Sequence, residues 1–253
     1  MTNLEQLTIV RHGESVLNRK SLEQTGDHLF RDFLIEYDAD WQSANSVDLA
    51  EELYQRDRYE LEDEAAPLSM RGVMQVARTA TAMHERLSQA SRIYVSPYKR
   101  TQDTAVIISK LIPEIAGLEL TEDERLSEQN RGLQSAYRNW RVFEVLNPSE
   151  KIIKDELGLF KYRAPNGESL EDVRDRTESF IADLNETADS KPLIITHFWP
   201  ILAMRDIIDG PIMHQASVDQ ANLDLPSNAG VTLFENMDAK LRLVESVTAN
   251  DNG

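Results

Sequence analysis

Residues 9–18 read IVRHGESVLN. An apolar run ends on Arg11 and His12, and Gly13 follows at once. A strand that delivers a guanidinium and an imidazole to its last positions, beside a residue with no side chain, is aimed at something anionic. Residues 4–10 read as a buried strand, and a short helix is expected after Gly13.

Outward from this stretch, two more strands end in polar, chemistry-bearing residues. RIYVS (92–96) leads within four residues to Arg100. PLIITH (192–197) is a continuous apolar strand that ends on His197. Helical spacing covers 67–89, with Ser69 as the N-cap, and also 98–112, 168–186 and 200–208. A further strand is expected over 118–126, and GVTLFE (230–235) and LRLVES (241–246) read as two strands able to pair. Strands alternating with helices imply parallel strands joined by crossover helices. The expected fold is α/β, a three-layer αβα sandwich around a mostly parallel sheet. No repeat or domain boundary is visible, so residues 1–253 read as one domain.

Composition narrows the partners. The chain has 253 residues, 41% of them hydrophobic, and a net charge of −17 from 27 Lys+Arg against 44 Asp+Glu. Nucleic acid and anionic membrane both favour a basic footprint, so neither is expected as a partner. No apolar run approaches the ~18 residues needed to cross a bilayer. No basic segment followed by a long apolar stretch marks a secretory signal, and a cytoplasmic protein is the simplest placement. Cysteine is absent, which removes disulfides, thiolate metal sites and a cysteine nucleophile. No carboxylate or histidine set has ligand spacing, so no metal and no cofactor are expected.

The acid is concentrated. Residues 21–67 hold fourteen Asp/Glu against three Arg and no Lys. The segment carries helical patterns, HLFRDFLIEY (28–37) and SVDLAEELYQRDRYELED (46–63), and reads as an ordered helical insert after the first strand. Two readings stand. It is a solvated excursion, or it is a cap or homo-oligomer contact near the pocket mouth, with Phe30, Phe33, Leu34, Tyr37 and Trp41 as its buried face. An acidic cap would repel highly charged substrates and favour a bulkier ester with one phosphate.

In open parallel sheets, ligands sit at the carboxyl ends of the strands. If the three strand ends adjoin, Arg11, His12, Arg100 and His197 meet in a cationic pocket inside an acidic protein. Arginine forks bind phosphate oxygens in pairs, so a phosphate group is the expected ligand. A histidine nitrogen can attack phosphorus, and a carboxylic acid can protonate the leaving alcohol.

Arg11-His12-Gly13-Glu14 resembles the signature of the histidine phosphatase superfamily, which includes cofactor-dependent phosphoglycerate mutases and many phosphatases. Further segments resemble the family in order: RHGESVLN, with Asn18 in the place of a phosphate-contacting asparagine; LSMRG (68–72); SPYKRTQDTA (96–105), with Arg100; LSEQNRGLQ (126–134), with Glu128; PNGES (165–169); and ITH (195–197). The resemblance implies that His12 is the nucleophile and that Glu128 is the acid and then the base. It implies that Arg11, Arg100 and His197 hold the phosphoryl group, with Asn18 assisting. The family's second histidine is usually followed by glycine, or by aspartate in the acid phosphatase branch. Here Phe198 follows, which leaves Glu128 as the proton donor and implies a reshaped pocket.

Three functions follow from the resemblance. The first is a phosphatase hydrolysing small phosphomonoesters through a phosphohistidine, favoured by GLFKYRAPNGES (158–169), which is similar to members with aromatic lids. The second is a phosphoglycerate mutase, which needs extra basic residues; Arg131, Arg138 and Arg141 are candidates, with Lys151, Lys154, Lys161 and Arg163 further on. The third is a non-catalytic phospho-binding scaffold.

Overall fold

The structure is a computed structural model that describes residues 3–58, 62–214 and 225–247. In chain order the elements are β1 (Gln6–Arg11), α1 (Val16–Thr25), α2 (His28–Asp40), α3 (Ala44–Asp57), α4 (Met70–Ala82), α5 (His84–Leu87), β2 (Arg92–Val95), α6 (Lys99–Leu111), β3 (Leu120–Glu122), α7 (Trp140–Leu146), α8 (Pro148–Leu157), α9 (Leu170–Glu186), β4 (Pro192–Thr196), α10 (Phe198–Asp209), β5 (Val231–Met237) and β6 (Lys240–Val247).

The strands form one sheet in the order β3-β2-β4-β1-β5-β6. β1 to β4 run parallel, and β5 and β6 add an antiparallel edge. Arg11 lies opposite Thr196, and Val95 lies opposite Ile195, so β1, β2 and β4 end side by side. Alternate residues serve opposite faces. Val10, Ile93 and Ile195 pack against Val76, Ala80, Ala105 and Ile108 of α4 and α6. Ile9, Tyr94 and Ile194 pack against Phe180, Leu184, Ile201 and Met204 of α9 and α10. Burial on both faces is why these strands read as unbroken apolar runs.

The expected strand over 118–126 is shorter. Leu120–Glu122 pairs with β2, and the Asp123 side chain then caps a 3-10 turn by accepting the Arg125 N–H. α7 and α8 were outside the sequence reading. They are short, and Pro148 at the first position of α8 separates them. The insert forms three helices up to Asp57; the helical pattern expected over 46–63 stops there, residues 59–61 lie outside the described residues, and 62–67 form turns and irregular chain. Phe30, Phe33 and Leu53 bury themselves against Val142 and Val145 of α7, and Leu34, Tyr37 and Trp41 pack around them. Among the described residues no helix is long and apolar enough to cross a membrane.

The start of α4 is pressed against the turn after β1. A Cβ added at Gly72 would stand 2.0 Å from the Glu14 carbonyl oxygen, and one at Gly13 would stand 2.6 Å from the Gly72 carbonyl oxygen. Ser69 adds a side-chain bond of 2.6 Å to the buried Glu14 carboxylate. These contacts account for the glycine of RHGE and for the serine and glycine of LSMRG. Gly72→Ala is therefore expected to cost about 1–3 kcal/mol through forced overpacking. An unchanged melting temperature would contradict this packing.

Candidate active site

β1 delivers His12 into the interior, where only 2% of the residue is exposed. Its Nδ1 lies 2.7 Å from the Gly13 carbonyl oxygen. A carbonyl only accepts, so Nδ1 carries the proton. On the other side, Arg100 Nε donates to His12 Nε2 at 3.2 Å. Arginine only donates, so Nε2 holds a lone pair. Both neighbours thus select the same neutral tautomer. Burial, aided by the charges of Arg100 and Arg11, holds the His12 pKa well below its usual 6.5.

His197 follows β4 and sits edge-on to His12, with ring centroids 5.0 Å apart. Its Nε2 lies 2.8 Å from Ser96 Oγ, just beyond β2. Burial again comes first among the causes that hold its pKa well below 6.5, followed by the charge of Arg100. Arg100, in the first turn of α6, is buried, with its guanidinium 4.7 Å from the Tyr98 ring centroid. Arg11 donates from Nη1 to the Pro226 carbonyl at 2.7 Å and faces the Phe198 ring at 5.2 Å. Burial lowers the Arg11 pKa from its usual value, with Glu128 opposing that shift. The group stays charged.

Among the described residues, six buried side-chain nitrogen or oxygen atoms have no hydrogen-bond partner, and two are Arg11 Nε and His197 Nδ1. Orphaned polar atoms are rare in folded interiors and call for a cause. Arg11 lines one cavity with His12, and the His197 ring lies 5.0 Å from the His12 ring, so both orphans belong to the same cluster.

A cavity of ≈ 200 Å³ opens onto this group. Arg11, His12, Asn18, Arg100 and Glu128 all line it; His197 touches His12 but is not part of the lining. Asn18 also closes the capping box of α1, its Oδ1 accepting the Ser15 N–H at 3.1 Å. Glu128 is fixed by three backbone amides, those of Gln129 at 3.0 Å, Phe198 at 3.2 Å and Trp199 at 3.3 Å. Phe198 does not close the cavity. Its amide holds Glu128 and its ring covers Arg11, while Trp199 lines the cavity.

All six residues singled out in the sequence converge on this spot. Four others were missed: Asp63, Gln129 and Trp199, which line the cavity, and Ser96, which holds His197. Ser96 is legible in hindsight as the first residue past β2.

Residues 54–247 match the family model of the histidine phosphatase superfamily, branch 1. The chain belongs to this superfamily. The match begins after Arg11 and His12, which the insert separates from it in sequence and the fold returns to it in space. The phosphoglycerate mutase-like protein AT74 of Arabidopsis thaliana is 30% identical over 140 residues, 53% of this chain and 42% of that protein. AT74H of the same plant is 29% identical over 137 residues, 50% of this chain and 46% of that protein. This chain thus matches less than half the length of either relative. Among solved structures, a mycobacterial hydrolase superposes with a TM-score of 0.64 at 19% identity, covering 97% of this chain and 98% of its own. A mycobacterial glucosyl-3-phosphoglycerate phosphatase in complex with VO3 gives 0.61 at 19% identity, covering 95% and 97%. These two likenesses establish the fold.

The buried histidines set a pH dependence of stability. Unfolded imidazoles bind a proton below about 6.5, whereas these two stay neutral in the fold. Their contribution is complete above that pH and is lost as pH falls through it, by about 1.4 kcal/mol per pH unit for each ring. Denaturant melts between pH 7 and 5 should show a shallower fall for His12→Gln combined with His197→Gln than for the wild type; an identical slope contradicts neutral burial.

Proposed function

We propose that this protein is a phosphatase that hydrolyses small phosphomonoesters through a phosphohistidine on His12, with no metal. The reading is carried by the tautomer of His12, which leaves Nε2 without a proton, together with the unpartnered nitrogens of Arg11 and His197. An ester seats its phosphoryl oxygens on those donors, on Arg100 and on the Nδ2 of Asn18. The Nε2 lone pair forms a bond to phosphorus, and the bond from phosphorus to the ester oxygen breaks. Glu128, protonated for this step, gives its proton to the departing alcohol oxygen. A water then loses a proton to the Glu128 carboxylate and attacks phosphorus. The phosphorus–nitrogen bond breaks, its electrons return to Nε2, and phosphate leaves. The fixed cations balance charge spread over the equatorial oxygens.

The cavity's surroundings favour hydrolysis over mutase turnover. A second space of ≈ 530 Å³ adjoins the first, sharing Asp63, Gln129 and Arg131, and Glu62 and Glu64 stand on its wall. Of the three arginines a mutase could use, only Arg131 lines it. Arg138 lies 3.8 Å from Asp57, and Arg141 stacks 4.2 Å from the Trp140 ring. Lys151, Lys154 and Arg163 pair with Asp155, Glu144 and Asp172. With Asp63 paired to Arg100, Glu62 and Glu64 against Arg131 leave this wall no surplus of positive charge with which to hold a second phosphate.

A phosphomonoester panel tests the proposal. His12→Ala is expected to lose at least about 10³-fold in kcat/KM, and Glu128→Gln about 10²–10⁴-fold. Acid-labile phosphate should appear on the wild type only, and EDTA should leave turnover unchanged. Phosphoglycerate mutase turnover that far exceeds ester hydrolysis, in the presence of a bisphosphate cofactor, would overturn the phosphatase reading. Absence of any phosphohistidine, with no effect of His12→Ala on ligand binding, would point to a scaffold.

A further inference from the structure

We infer that Asp63, at the far end of the acidic insert, is the positioning residue for Arg100, so that the insert completes the anion site. The inference rests on the proposed seat for a phosphoryl group and adds the residue that aims it.

Arg100 has five N–H donors. Nη1 donates to Asp63 twice, to the carbonyl oxygen at 2.6 Å and to Oδ1 at 3.0 Å. Nη2 donates to Oδ2 at 3.2 Å. The end of the guanidinium is thus held by a two-point carboxylate fork, a geometry that fixes the plane as well as the position. The remaining edge carries Nε, on His12 Nε2 at 3.2 Å, and the second Nη2 hydrogen. That edge is the fork a phosphoryl group on Nε2 would meet. Asp63 therefore leaves the useful side of Arg100 open and turns it toward the reacting nitrogen.

Two further observations separate a fixed brace from a carboxylate that merely occupies the phosphate seat. The Arg100 side chain is only 5% exposed, and a guanidinium that buried needs a lasting counter-charge. The chain around Asp63 is also tied to α6 by backbone. Lys99 N–H donates to the Glu64 carbonyl at 2.8 Å, beside the Arg100 bond to the Asp63 carbonyl. Removing the carboxylate from Arg100 would work against both contacts. Tyr98 supports the flat face of the same guanidinium, so its plane is set from the end and from one side.

The test is orthovanadate binding by calorimetry, together with steady-state kinetics on one monoester, using the full chain. Asp63→Asn should weaken vanadate by about tenfold, ~1.4 kcal/mol, and lower kcat more than it raises KM. Asp63→Glu, which keeps the charge, should recover part of the affinity. Asp48→Asn, an equal charge change on an exposed face of α3, should change neither. Tighter vanadate binding by Asp63→Asn would identify a competing anion and overturn the inference. Affinity equal to that of Asp48→Asn, or equal loss in Asp63→Asn and Asp63→Glu, would also overturn it. A wild type that binds vanadate and forms phosphohistidine alongside either result leaves the phosphatase reading standing; a wild type that binds no vanadate removes both.

Discussion

The hydrogen bond from His12 Nδ1 to the Gly13 carbonyl, 2.7 Å long, decides which ring nitrogen is free. It spans adjacent residues, so it holds only while the turn after β1 keeps its shape. That shape depends on the near-contact of Gly13 and Gly72, where neither position has room for a Cβ. α4 is in turn pinned to the turn by Ser69 and Gln75, which bond the side chain and the amide of Glu14. Packing between a helix start and a strand end thus reaches the chemistry through one backbone carbonyl. The protonation state of His12 is a property of the fold.

An acidic chain with a net charge of −17 keeps a cationic pocket by pairing and burying selected groups. Arg11 and Arg100 sit where water screens little, and their charges help keep both histidines neutral. Much of the insert's acid lies away from them. Asp57 pairs with Arg56, and Asp48, Glu51 and Glu52 stand on a separate surface. Among the described carboxylates of the insert, those of residues 62–64 border the candidate site. The apolar face expected of the insert packs on α7 and not at the pocket, and Asp63 borders the pocket where the insert rejoins the core.

What the sequence made legible follows from where each signal is local. β1, β2 and β4 are short apolar runs buried on both faces, so composition alone marks them. Arg11, His12 and His197 are the residues at the ends of β1 and β4, and Arg100 lies in the first turn of α6, which follows β2. The buried face of α2 showed in the spacing of Phe30 and Phe33. Asp63 could not be found in this way. Among Glu62, Asp63 and Glu64 no pattern separates the one that meets Arg100, because the choice depends on how the insert folds back. Gln129 and Trp199 were obscured similarly: each sits next to a residue with a stronger motif. α7 buries itself against the insert, and α8 has no buried residue, so neither carries a sheet periodicity to announce it.

A crystal structure with orthovanadate bound tests the central claim most directly. The account predicts vanadium bonded to His12 Nε2, its oxygens accepting from Arg11 Nε and His197 Nδ1, with the Nδ1–Gly13 bond intact. Vanadium on another residue, or those two nitrogens still without partners while the anion sits elsewhere, would contradict it.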